Sequence, residues 1–255
     1  MEKERKYTYR VRPCNNYTLD ELRKGYIWFS RPTYYNDIDD ANIAAFIKDT
    51  DAIKKGLLHV GCKEECINKY VDEMSYIGIC FFTKEMPSEH DLAHFPKCKS
   101  DNAIVIKYNR DKLKMFFETH RTNPLHPCFH DVIYDEVPTK LEQYDGWSFL
   151  VDEDETGCKQ YKTIYGILHE HPRELDKLIF MLYTRINNRF EKQNEERIII
   201  AGRNIPKHND NTTGYQIPIP MNLIDTIYVY PQVKDKYKEN LYEIPFMSNK
   251  IKVNP

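Results

Sequence analysis

The tightest constraint in this chain lies in its first thirty residues, where the pattern switches twice within a very short span. YTYRV, Tyr7 to Val11, alternates with the two-residue period of a strand. Thr18 and Glu21 then have the spacing of a capping box for a short helix that stops at Gly25. YIWFS, Tyr26 to Ser30, reads at once as a second strand, ended by Pro32. A strand, a brief helix and another strand leave little choice but a sheet with helices packed on it.

The rest of the chain extends the same alternation irregularly. Ala41 to Glu73 is mostly helical in pattern, with Gly56 and Gly61 as interruptions, and YIGICFF (Tyr76 to Phe82) reads as a buried strand. AIVIKY (Ala103 to Tyr108) is a further strand, followed by a helix over about 110–120 and a strand near DVIYDEV (Asp131 to Val137). Pro172 suits the first turn of a long helix, whose apolar face would comprise Leu175, Leu178, Ile179, Leu182, Ile186 and Phe190. EERIIIA (Glu195 to Ala201), YQIPIP and IDTIYVYP close the chain as strands.

No internal repeat or strong linker divides the 255 residues, so the expectation is one α+β domain with a mixed or antiparallel sheet over 1–255. Candidate mobile loops fall near 84–101, 151–158 and 203–214. A hydrophobic content of 41% and a charged content of 30% belong to a folded globular chain. The formal net charge of −2 gives no global basic field for DNA or an anionic membrane. No apolar run approaches the roughly 20 residues of a membrane-spanning helix, and the charged N-terminus lacks a signal peptide's apolar segment. The expected location is the cytoplasm. Seven scattered cysteines suit reduced thiols there, which leaves the sequons at Asn16 and Asn211 without meaning.

Several groups of residues could hold chemistry. His59, Cys62 and Cys66, or His126, Cys128 and His130, are conceivable zinc ligands, but neither group has paired C-x-x-C elements, and a reduced cysteine also serves as a small apolar residue. His90 and His94 lack the glutamate of a zinc hydrolase, so a solvated loop is the plainer reading. No metal is favoured. Asp37, Asp39 and Asp40 could bind a divalent cation with Glu195 or Glu196 as in a nuclease; alternatively they form a turn with Asn36 and cap the next helix.

A more dispersed group is Arg10, Ser30 and the triplet Gln193-Asn194-Glu195. An arginine fork can hold a pyrophosphate, a serine can hydrogen-bond near a ribose, and a carboxylate can stabilise an oxocarbenium-like state. Singly, each has a bland alternative: a solvated charge on an edge strand, a strand terminator, and surface acids before an apolar strand.

In order, YTYRV, LRKGYIWFSRPTYYNDIDD, IGICFFT, NEERIII and LIDTIYVYPQ resemble the elements of a prokaryotic and phage family known as domain of unknown function 2971. The resemblance spans roughly Tyr7 to Gln232. It departs from the family's pattern at HDLAHFP, where a tryptophan is missing, and at Glu195-Glu196-Arg197, where Glu196 stands in an aromatic place.

The element order is also remotely similar to ADP-ribosyltransferases of the Arg, Ser, Glu type. That resemblance implies an NAD-binding transferase acting in bacterial or phage conflict, in defence or counter-defence. NAD would be its substrate, and a protein or nucleic acid its acceptor. Arg10 would hold the phosphates, Ser30 the nicotinamide ribose, Glu195 the oxocarbenium-like state and Gln193 the acceptor, with Tyr34 or Tyr35 stacked on nicotinamide. Two other functions stay open: a binding protein that captures a nucleotide or blocks a partner protein, and a metal-dependent nuclease.

Overall fold

A computed structural model describes residues 5–31, 58, 77–119, 128–135, 151–153, 155–157, 159–161, 185–201 and 213–253. Apart from Leu58, the expected helices of 41–73 lie outside these residues, as do the greater part of 172–190 and Tyr34, Tyr35, Asp37, Asp39 and Asp40.

The opening unit forms as its sequence pattern requires. Strand β1 (Tyr7–Pro13) leads to helix α1 (Asn16–Lys24) and strand β2 (Tyr26–Ser30). The capping differs from the expectation. Asn15, not Thr18, is the cap: its backbone is extended and its side-chain oxygen accepts the Thr18 N–H at 3.1 Å. Glu21 is thereby freed from any capping duty and turns into the core, 2% exposed. Gly25 ends the helix at φ 68°, a left-handed conformation that glycine adopts without a Cβ penalty.

The remaining elements are β3 (Ile77–Thr83), β4 (Ala103–Asn109), α2 (Arg110–Thr119), β5 (His130–Asp131), β6 (Ile133–Asp135), β7 (Val151–Glu153), β8 (Lys159–Tyr161) and β9 (Arg185–Asn187). They are followed by β10 (Glu195–Ala201), β11 (Gly214–Pro218), β12 (Ile224–Val229), α3 (Asp235–Tyr242) and β13 (Ile251–Val253). The chain is a mixed sheet with several helices, as an α+β domain requires. The long helix expected to reach Phe190 does not: Ile186 lies on β9, and Asn188–Gln193 forms a 3-10 turn. His90–His94 is likewise a 3-10 turn, anchored by fully buried Leu92 rather than solvated throughout.

Among the described residues, one large sheet runs β11-β2-β3-β1-β4-β12-β13, with β10 and β5 branching from β3. Strand β3 explains the branch. Its whole length pairs antiparallel with β10, from Glu195 opposite Thr83 to Ala201 opposite Ile77. Its other edge meets β1 at one end, Tyr9 opposite Thr83, and β2 at the other, Ser30 opposite Ile79. The strands β1 and β2 therefore diverge like the tines of a fork.

One face of the sheet is the core. Ile27, Phe29, Cys80, Phe82, Ile104, Ile106, Tyr108, Ile198 and Ile200 are at most 2% exposed there and cluster with Leu19 and Leu22 of α1 and Leu113 and Phe117 of α2. Edge-to-face ring contacts knit this layer: Phe29 with Phe117 at 5.4 Å, Phe82 with Tyr108 at 5.9 Å and Phe82 with Phe129 at 5.7 Å. Truncating a ring such as Phe82 to alanine costs about 3–5 kcal/mol.

Candidate functional site

Strand parity decides which residues can meet. Neighbours paired across an antiparallel ladder project from the same face, and successive residues project from opposite faces. Arg10 pairs with Ile106 and stands over the Phe82 ring at 5.9 Å, so it belongs to the core face. Glu195 pairs with Thr83, and its neighbour Arg197 lies over the Phe81 ring at 4.7 Å, which places both on the opposite face. Ser30, opposite Ile79, shares the Glu195 face.

Arg10 is 4% exposed and pairs with the carboxylate of Glu21. Glu21 Oε1 also accepts the Trp28 N–H at 3.1 Å, and Arg10 Nη2 lies 3.5 Å from the Trp28 carbonyl. Arg12 approaches the second Glu21 oxygen at 3.2 Å. These side chains fill the crotch of the fork, where Trp28 has no strand on that edge to complete its backbone hydrogen bonds. Arg10 is therefore not the solvated charge of the plainer alternative but an internal brace, because β1 sits between β3 and β4 rather than at an edge.

Ser30 and Glu195 share a face but not a neighbourhood. They are two strands apart laterally and four β3 residues apart lengthwise, roughly 16 Å between α-carbons. The structure brings together a different set. Tyr9, Thr83 and Glu195 lie in one row across β1, β3 and β10, each about 5 Å from the next. Lys107 of β4, paired with Tyr9, extends the row and rests 3.6 Å from the Tyr7 ring centroid and 3.2 Å from Asp225.

The local chain geometry at Glu195 is well specified. Gln193 donates from its side-chain amide to the His94 carbonyl, which places it in the wall rather than free in a cleft. Asn194 turns the chain at φ 44°, and its carbonyl accepts the Lys84 N–H at 2.9 Å. Glu195 then enters the strand 7% exposed, with its carboxylate 3.0 Å from Arg197 Nη2 and its own N–H donated to the Tyr134 hydroxyl at 2.7 Å. Burial, followed by the negative charge of Glu195, pushes the Tyr134 phenol well above its ordinary pKa, so it stays protonated. Burial likewise raises Tyr9, against the opposing pull of Lys107.

Glu196 faces the other way, fully buried, and receives a forked pair of hydrogen bonds from Arg110 at 3.1 and 3.0 Å. Glu195 and Glu196 open β10 and are both internal, which sets aside the plainer alternative of surface acids. Glu195 and Glu196 point to opposite faces, each held by an arginine, and Asp37, Asp39 and Asp40 of the nuclease alternative lie outside the described residues. Among the described residues no group of three or more His, Cys, Asp or Glu could hold a metal. Of the histidine and cysteine groups, His59, Cys62, Cys66 and His126 lie outside those residues, while Cys128 and His130 are buried. No described helix is long and apolar enough to cross a membrane.

Sequence reasoning passed over Tyr9, Thr83 and Tyr134, and took Arg197 only as part of the departure Glu195-Glu196-Arg197. The first two were adjacent to residues that drew attention, and only the register reveals that they share a row with Glu195. Searches with family models, among curated proteins and among solved structures find no match.

Proposed function

We propose that this chain is a cytoplasmic, NAD-binding, ADP-ribosyltransferase-like effector in bacterial or phage conflict, transferring ADP-ribose to a protein or nucleic-acid acceptor. The observation that supports it most is the row Tyr9–Thr83–Glu195. It sets an aromatic ring, a hydroxyl and a buried carboxylate side by side on the two strands that flank β3 and on β3 itself. The strand bearing Arg10 and the strand entered through the Gln193-x-Glu195 triplet thus embrace a common central strand, consistent with the element order of the resembling transferases.

The chemistry divides simply. The bond between nicotinamide nitrogen and ribose C1′ breaks, its electron pair leaves with neutral nicotinamide, and C1′ becomes oxocarbenium-like. Glu195, 7% exposed, stabilises that positive charge in a poorly solvated setting. The acceptor nucleophile then bonds to C1′ and releases its proton to a carboxylate or to water. In this reading Thr83 replaces Ser30 as the hydroxyl near the ribose, since one sugar ring cannot span roughly 16 Å. Arg10 braces the fork instead of holding phosphate, and Tyr9 offers the aromatic face.

Incubation with labelled NAD and cell extract tests this: nicotinamide release, label transfer and an NAD-dependent rise in melting temperature are expected. Glu195→Gln should abolish turnover and retain NAD binding. Absence of NAD loss, transfer and thermal shift together would sink the reading.

A non-catalytic binding role has one specific observation in its favour: Arg197, fully buried, already occupies the Glu195 carboxylate. It expects NAD to bind without being consumed, or a stoichiometric protein partner to survive substitution of Arg10 and Glu195.

A further inference from the structure

Tyr134 comes from β6, a strand outside the large sheet that pairs in parallel with β9. Its hydroxyl oxygen accepts the backbone N–H of Glu195 at 2.7 Å, which ties the phenol to the residue that anchors the proposed site, close enough for the Glu195 charge to act on it. A hydroxyl that accepts still has one proton to give. Among the described residues that proton has no acceptor, and the ring is only half-buried. Carboxylate and phenol together make an acceptor and a donor at neighbouring positions, the complement of two adjacent hydroxyls on a sugar.

We propose that Tyr134 is a substrate-contacting residue that, with Glu195, reads the cis-diol of a ribose: Glu195 accepts from the 2′-hydroxyl while Tyr134 donates to the 3′-hydroxyl oxygen. The inference rests on the transferase reading and adds the chemical group that the site selects. Arg197 supports it from the other side by orienting the Glu195 carboxylate at 3.0 Å. A ligand lacking the diol leaves the phenol proton unpaired in a partly dry site, which is how a polar site discriminates.

The test uses the full chain, with NAD and an NAD analogue lacking the 3′-hydroxyl of the nicotinamide ribose. Wild type should release nicotinamide from NAD about 10- to 100-fold more efficiently in kcat/KM than from the analogue, the range expected for one lost hydrogen bond to a polar site. Tyr134→Phe should lower kcat/KM for NAD by a similar factor and bring the two substrates level. A purely structural phenol would depress both substrates alike and preserve their ratio, and that result overturns the inference.

Should Tyr134→Phe fail to fold, the wild-type comparison decides alone, because equal turnover of NAD and the analogue excludes diol reading. A wild-type chain that neither binds nor consumes NAD overturns the transferase reading and this one together. Turnover that ignores both the 3′-hydroxyl and Tyr134 overturns only this one.

Discussion

Arg10 and Glu21 form an ion pair inside the crotch of the β-fork, with side chains 4% and 3% exposed, on the face of the sheet turned away from Glu195. Removing one partner leaves a buried charge with nothing to balance it. Arg10→Ala or Glu21→Gln should therefore each cost about 3–5 kcal/mol in urea unfolding. If the pair is a brace, the joint replacement Arg10→Met with Glu21→Leu recovers much of that loss, and on the proposed transferase reading the folded double variant binds NAD as wild type does. A selective loss of NAD binding in that folded variant would return Arg10 to the ligand.

The four described cysteines should be chemically silent in the native protein. Burial pushes the thiols of Cys14, Cys80, Cys98 and Cys128 up to about 12, and each is at most 5% exposed. A thiol in that range holds almost no thiolate at neutral pH. Brief iodoacetamide treatment at pH 7.5 followed by peptide mass mapping should find all four unlabelled, and unfolding in urea should expose them. Rapid native labelling of any of them would show that its cover opens.

Acid should loosen the anchor of the N-terminal strand. Burial alone would raise the Asp131 carboxyl, but Lys84 at 3.0 Å and Arg5 at 3.2 Å outweigh it and hold the folded-state pKa below the ordinary value. A carboxylate with a depressed folded pKa stabilises the native state above its unfolded pKa, near 4, and that contribution disappears as pH falls through the folded value. Asp131→Asn should thus lower the urea midpoint slightly at pH 7, and the difference from wild type should vanish by about pH 2. The side chain is 45% exposed, so solvent screening keeps the effect small and salt-sensitive.

How much of this was readable without coordinates follows from what each signal measures. Strands such as Ile77–Thr83 and Ala103–Asn109 were legible because β-branched and aromatic runs state their own conformation. The face that each residue takes was not. In Tyr7–Val11, the apolar positions Tyr7, Tyr9 and Val11 are half-buried, while Thr8 and Arg10 face the core at 0% and 4% exposure. Glu21, on α1, inverts the pattern by supplying a buried partner from outside the strand.

The candidate site was similarly half legible. Glu195 stood out through the triplet Gln193-Asn194-Glu195, but its neighbours come from residues 9, 83 and 134, and no local spacing relates such distant positions. Only strand register does. The end of the expected long helix at Ile186 and Phe190 went astray for the complementary reason: three- and four-residue spacing of apolar residues persists by composition even where the chain is a short strand and a 3-10 turn.

The forked sheet separates two kinds of heritable change. Along β1, β3 and β4, odd-numbered residues build the face bearing Glu195, and even-numbered residues build the core with the arginine brace. Substitutions at Tyr7, Tyr9 or Lys107 change the half-buried face beside Glu195 and leave the core layer untouched. A single inserted residue in β1, by contrast, would exchange the two sets at once, exposing the brace and burying the row beside Glu195. The face beside Glu195 can drift by replacement, but the strand lengths are fixed.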